Sequence, residues 1–198
     1  MSKIIGITGG IATGKSIISG YLRSLGYPVI NADLIGHEVL EREDVKREIN
    51  ERIGNVESDG KIDRKKLGSI VFSNWDKLKI LNEITHPRII DAILNEVRGL
   101  SAMNEEIFVE AAVLFEMGLD RYTNFIIVTD CPDDLRIKRI MERDKLSYDA
   151  AVMRIKSQMP REEYIKRADF VIDTSGDVQD TLEKVFEMLK RKPWCDKI

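Results

Sequence analysis

Three groups of side chains in this 198-residue chain have the types and spacing to handle a polyphosphate. The first is Gly9-Gly10-Ile11-Ala12-Thr13-Gly14-Lys15-Ser16, which matches the phosphate-loop pattern G-x-x-x-x-G-K-[ST]. Gly9 and Gly14 permit backbone conformations closed to residues with a Cβ. Successive N–H groups and a helix N-terminus then face an anion. Lys15 reaches the β- and γ-phosphates in such loops, and a hydroxyl at the place of Ser16 ligates Mg2+. The pattern points to nucleoside triphosphate binding; alone it does not say where the phosphoryl group goes.

The second group is carboxylates. Asn31-Ala32-Asp33 follows a short apolar run, and carboxyl ends of strands in an open parallel sheet face the ligand crevice. Asp33 can there accept a proton from an attacking hydroxyl, or cap the following helix; spacing leaves both readings open. Glu110, after Ile107-Phe108-Val109, and Glu116, after Val113-Leu114-Phe115, are two candidates for an acid that supports Mg2+. Either can equally be a plain strand-end carboxylate. The third group is arginines. Arg139 and Arg143 share a helical face at a spacing of four, as do Arg154 and Gln158. They can neutralise charge on a transferring phosphoryl group or form a solvated basic face. His86-Pro87 reads as a helix start, with His86 either a cap or a contact to a substrate phosphate. His37 reads as surface. Two histidines and two distant cysteines form no zinc site. Trp75 and Trp194 read as packing residues.

The elements that must hold these groups alternate. Ile4–Thr8 is a buried strand, Ser16–Leu25 a helix, and Pro28-Val29-Ile30 a second strand, which opens a parallel α/β sheet. From Asp33 to about Gly99 apolar residues recur at helical spacing, with one turn cluster at Asn55–Gly60 and no convincing strand. A crossover needs only a dozen residues, so this stretch is an inserted helical lobe. Strands return at Ile107–Val109, extending towards Leu114, at Phe125–Val128 and at Phe170–Ile172. Leu135–Arg143 is a basic helix, Ser147 caps the next, and Val178, Leu182, Val185, Phe186 and Leu189 mark a closing helix.

Composition narrows the class. Apolar residues are 43% and charged residues 33%, and the net charge is −3, from 31 basic and 34 acidic side chains. That excludes a disordered or collagen-like chain and disfavours sequence-independent nucleic-acid binding. Cys131 and Cys195 make no disulfide framework, which fits a reducing cytoplasm. The first apolar run is too short for a membrane span or a secretion signal. The expectation is a cytoplasmic protein with no membrane or nucleic-acid partner.

Taken together, Thr8–Ser16, Asn31-Ala32-Asp33-Leu34-Ile35, Asp59-Gly60-Lys61-Ile62-Asp63-Arg64, His86-Pro87, Leu114-Phe115-Glu116, Arg139–Asp144, Arg154 with Gln158, and Ala168–Ile172 resemble the dephospho-CoA kinase family. The resemblance runs in order from residue 4 to about residue 175. It implies a P-loop NTPase-type α/β fold with a central parallel sheet. The core would be 1–32, 100–137 and 168–198, the CoA-binding lobe 33–99, and the lid 138–167. It implies ATP-dependent phosphorylation of the ribose 3′-hydroxyl of dephospho-CoA, with Mg2+; separately, the expected state is a monomer or weak homo-oligomer. Residue by residue it implies that Asp33 is the base and that Lys15 and Arg143 are catalytic. Residues 9–17 (Gly9, Gly10, Ile11, Ala12, Thr13, Gly14, Lys15, Ser16, Ile17) and Arg139 would bind ATP. Asp33, His86 and Glu116 would bind the acceptor, and Ser16 the metal with Glu110. The alternatives are another small-metabolite kinase or a nucleotide-dependent switch, and the Asp59–Arg64 motif and the helical lobe argue against the former.

Six positions depart from the family pattern. Ile17 stands for a common Thr, Asn31 for the first Asp of Asp-Ala-Asp, and Ala112 for a common Pro. Glu110 stands for Asp, Arg136 for Gln, and Thr174 for a common Asn. Lys15, Ser16, Asp33 and Arg143 are untouched.

Overall fold

The computed structural model describes residues 2–196; Met1, Lys197 and Ile198, which the ranges expected for the core include, lie outside the described residues. The elements run β1 (Lys3–Thr8), α1 (Lys15–Ser24), β2 (Val29–Asn31), α2 (Ala32–Leu40), α3 (Glu43–Arg52), β3 (Glu57–Ser58), β4 (Lys61–Ile62), α4 (Arg64–Phe72) and α5 (Trp75–Leu100). Then come β5 (Glu106–Glu110), α6 (Leu114–Met117), β6 (Phe125–Asp130), α7 (Asp133–Asp144), α8 (Tyr148–Lys156), α9 (Arg161–Lys166), β7 (Phe170–Asp173) and α10 (Val178–Arg191). The chain divides into two compact units, residues 1–30 with 100–198, and residues 31–99.

In the first unit the five-stranded sheet has the order β2-β5-β1-β6-β7. β1 pairs in parallel with β5 and β6, and β6 with β7. Every residue of β5 and β6 is buried, the mark of parallel strands covered on both faces. This explains why they read as continuous apolar runs instead of alternating ones. Ile5, Ile7, Phe108, Phe125 and Ile127 from the sheet pack with Ile18 and Leu22 of α1 and Val185, Met188 and Leu189 of α10. Trp194 closes this core: its ring stands edge-on to Phe108 and Phe125 at 5.8 and 5.9 Å. Its indole N–H donates to Glu106 at 3.0 Å, and Lys192 neutralises the same carboxylate at 2.8 Å. A buried carboxylate and a buried indole N–H are thus both satisfied. β5 stops at Glu110, and Leu114 opens α6 instead of prolonging the strand as expected.

The second unit is mainly helical, with a correction. Glu57–Ser58 and Lys61–Ile62 pair as a small antiparallel hairpin where no strand was expected. Asp59 and Gly60, with φ of 53° and 75°, form its turn, and positive φ at both central residues is what an Asp-Gly turn between paired strands provides. Two-residue strands are too short to show alternation. Lys46 of α3 donates to the Gly60 carbonyl at 2.9 Å and so holds the turn down. Asp63 then caps α4, its carboxylate accepting from the backbone N–H of Lys65 and Lys66 at 3.0 Å each. The Asp-Gly-x-Ile-Asp-Arg segment is therefore turn, strand and cap in succession. Arg88 of α5 binds Asp44 at 3.2 Å and Glu48 at 2.8 Å, joining α5 to α3.

Two further expectations are corrected in this unit. His86-Pro87 does not begin a helix but lies inside the 26-residue α5. The proline removes an N–H from the interior, while the apolar stripe Ile84, Ile89, Ile93, Val97 stays buried through it. Trp75 is not a packing residue; it is 77% exposed at the start of α5.

Candidate active site

The run between β1 and α1 folds back on itself. Gly9 and Gly14 hold φ of 144° and 88°, and a Cβ on Gly9 would lie 2.6 Å from Thr129 Oγ1. Thr13 Oγ1 donates to the Gly10 carbonyl at 2.8 Å and meets Thr129 Oγ1 at 2.6 Å. Lys15 Nζ donates to the carbonyls of Gly9 and Gly10 at 2.7 and 3.0 Å, so the ammonium lies over the loop mouth. Ala12 sits at φ 63°. That left-handed conformation costs a residue with a Cβ about 1–2 kcal/mol, so the surroundings must hold it. Ser16 is exposed in the first turn of α1, and Ile17 follows it in the helix.

The back of the loop is held by Arg136 and Thr174, whose role the sequence did not disclose, together with Arg139. Arg136, only 4% exposed, donates to the Ile11 carbonyl at 3.0 Å and to Asp133 at 2.8 Å. Its Cζ lies 2.8 Å from where a Cβ on Gly10 would be, so a side chain at position 10 would have to displace the guanidinium. Arg139 donates to the carbonyls of Ala12 and Thr174 at 3.1 and 2.7 Å. Thr174 Oγ1 donates to the Thr13 carbonyl at 2.9 Å. Two departures from the family pattern, Arg136 and Thr174, are thus parts of the loop's support. Cys131 lies beneath it, and burial pushes its thiol up, with Arg139 opposing.

Arg143 is exposed and pairs with Asp144 at 2.8 Å, and Arg154 reaches the same carboxylate at 2.6 Å. Arg143 beside it holds Asp144 below the usual carboxylate range. Glu110, last in β5, is 7% exposed, with Arg23 at 3.8 Å. Glu116 is exposed and accepts from the Tyr164 hydroxyl at 3.4 Å. Burial first, and then Glu116, push that phenol well above its ordinary value. A pair not foreseen is Asp130 with Arg161, closed by two hydrogen bonds of 2.8 and 2.6 Å between the end of β6 and α9. Its signal was an Asp at a strand's carboxyl end.

Asp33 and His86 belong to the 31–99 unit. Asp33 is exposed in the first turn of α2. Asn31 is the cap of that helix, its Oδ1 accepting from Leu34 N–H at 3.0 Å, so the capping reading of Asp33 is overturned. His86 is half-buried in α5, and burial lowers its imidazole pKa below 6.5.

A glycine-lysine-serine loop between the central strand and first helix of a parallel α/β sheet defines a P-loop nucleotide-binding fold. Shikimate kinase from Acinetobacter baumannii shares this fold, with a TM-score of 0.56 at 15% identity over 97% of this chain and 95% of its own. The family model for dephospho-CoA kinase matches residues 3–180, and the chain belongs to the dephospho-CoA kinase family. It is 39% identical to the dephospho-CoA kinase of Carboxydothermus hydrogenoformans over 98% of this chain and 96% of that one. The dephospho-CoA kinase structure from Campylobacter jejuni superposes with a TM-score of 0.73 at 36% identity, covering 96% of this chain and 97% of that one.

Proposed function

We propose that this chain carries out the reaction its relatives are named for, the ATP-dependent phosphorylation of dephospho-CoA, at the ribose 3′-hydroxyl. The observation that carries the reading is the loop itself, shaped for a triphosphate in a chain that matches its relatives over almost all of their length. The new bond joins the 3′-oxygen to the γ-phosphorus, and the bond from that phosphorus to the β–γ bridging oxygen breaks, releasing ADP. Asp33 takes the hydroxyl proton. Residues 9–17 cradle the phosphates, Lys15 follows the β- and γ-oxygens, and Arg143 and Arg139 neutralise the charge that spreads over the transferring group. In this reading Asp144 holds Arg143 and Arg154 ready as a local counter-charge.

The donors that Ser16 and Glu110 offer are hard oxygens, the set Mg2+ prefers; these two residues would hold it, and the ion would neutralise phosphate charge. The 33–99 lobe, with His86, binds the CoA precursor, Glu116 contacts the acceptor from the core, and 138–167 acts as a lid that excludes water. No described helix is long and apolar enough to cross a membrane, and we place the reaction in the cytoplasm.

The deciding measurement is ADP formation from Mg·ATP with and without dephospho-CoA, and the mass and phosphate position of the product. A 3′-phosphorylated product is expected. ATP binding without stimulation by dephospho-CoA would move the acceptor elsewhere.

A further inference from the structure

One residue of the phosphate loop is gripped at both ends by side chains from far along the chain. Ile11 donates its backbone N–H to Gln158 Oε1 at 2.6 Å, and its carbonyl accepts from Arg136 Nε at 3.0 Å. The grip is cross-braced: Arg136 Nη2 reaches Gln158 Oε1 at 3.4 Å, while Nη1 is held by Asp133. A guanidinium as buried as Arg136 must have its donors satisfied, and it satisfies them on the loop and on Gln158. Gln158 sits just past Ser157, the C-cap of α8. α7 and α8 pack through Ile137, Ile140 and Ala151, and Ile11 and Ala12 lie against that cluster.

The position of the grip matters. Ala12, the next residue, is held at φ 63°, and a residue with a Cβ leaves that region when it is free to. Amides that must meet phosphate oxygens work best when their directions are set before the ligand arrives. Releasing Ile11 would free the strained turn just where those directions begin.

We propose that Gln158 is a positioning residue for phosphoryl transfer. Its carboxamide oxygen, braced by Arg136, fixes the Ile11 peptide and thereby aims the amides from Ala12 to Ser16 at the terminal phosphates of a nucleoside triphosphate. Gln158 acts through its contact with the loop. The proposal rests on the reading of this loop as the ATP site. It also makes the end of α8 part of the mould of the loop, so that displacement of the 138–167 segment is felt by the phosphate-binding amides.

The test compares Gln158→Met with Gln158→Glu in steady-state kinetics, alongside thermal melting. Methionine keeps the length of the side chain and loses the acceptor; glutamate keeps the acceptor, and Arg136 meets its charge. Gln158→Met is expected to lower kcat/KM for ATP by about 10- to 100-fold, the scale of a misplaced reacting group. The KM for dephospho-CoA should move by less than about twofold, as expected when acceptor binding is untouched. Gln158→Glu should recover most of the loss. Wild-type kcat/KM in Gln158→Met overturns the proposal. So does a loss that Gln158→Glu fails to recover, or a parallel fall of both substrates' parameters with the melting temperature, which a merely structural role would give. Failure of the kinase reading shows separately, as wild-type protein that forms no phosphorylated dephospho-CoA. The order of ATP affinities, wild type and Gln158→Glu above Gln158→Met, is then read by calorimetry.

Discussion

Asp33 is left exposed because Asn31, two residues before it, does the capping. Asn31 satisfies the Leu34 N–H, which leaves the Asp33 carboxylate exposed in the first turn of α2. Asparagine caps about as well as aspartate, so the departure at position 31 preserves the helix start. Asp33→Asn should lower the single-turnover rate by about 100-fold or more while ATP affinity by calorimetry stays at the wild-type value; a near-normal rate would take Asp33 out of the base role. Gly10 makes a second residue-scale prediction. Gly10→Ala drives a methyl into the Arg136 guanidinium, and overpacking a buried site costs about 1–3 kcal/mol. A lowered unfolding midpoint together with weaker ATP binding is the expected pair of results, and an unchanged midpoint would mean that Arg136 swings away at no cost. The motif makes Gly9 and Gly14 legible from the sequence alone. Gly10 is a variable position in that motif, and its reason lies with an arginine in α7 that no local pattern connects to it.

At the scale of elements, what the sequence discloses follows the length of each signal. β1, β6 and α10 are long enough for apolar runs or helical stripes to declare them, and all three stand within a residue or two of their expected limits. The hairpin β3–β4 is shorter than one period of alternation; only its Asp-Gly turn is visible in advance. α5 misled through Pro87, a residue that ordinarily marks a helix start. Here burial of Ile84 before it and Ile89 after it outweighs the lost N–H, while Arg88 lends a side-chain donor to the Ile84 carbonyl at 2.6 Å. His86, next to that proline, gives α5 a pH dependence. Burial lowers its folded-state pKa below 6.5, so the unfolded chain takes up its proton first as pH falls. Stability contributed by the neutral ring is present above that value and is lost as pH drops from 6.5 towards the folded pKa. Melting temperatures should fall across this interval in the wild type and fall less in His86→Gln. Identical pH profiles would mean that His86 is solvated in the folded protein.

Across the whole molecule, the core of the first unit is assembled from both ends of the chain. Ile5 and Ile7 pack with Val185, Met188, Leu189 and Trp194, contacts between residues far apart in sequence. The strand order β2-β5-β1-β6-β7 is of the same kind: each strand can be recognised by itself, but its place beside another depends on crossovers that no local pattern records. The site divides along the same line. The phosphate loop is readable as a motif, whereas Arg136, Thr174 and the Asp130–Arg161 pair act through contacts that only the folded chain creates. Trp194, 1% exposed, tests the long-range core directly. Trp194→Ala removes a ring that two aromatic residues flank and should cost about 3–5 kcal/mol in urea unfolding. A loss below about 0.5 kcal/mol, the range of surface changes, would show that the C-terminal turn is an appendage and not part of the core.

The same residue also has an optical use. The chain has two tryptophans, one in each compact unit: Trp194 sealed at 1% exposure and Trp75 open at 77%. A dissolved quencher will extinguish the emission of Trp75 and leave that of Trp194, so the emission that survives reports on the first unit alone, and its unfolding can be followed without a label.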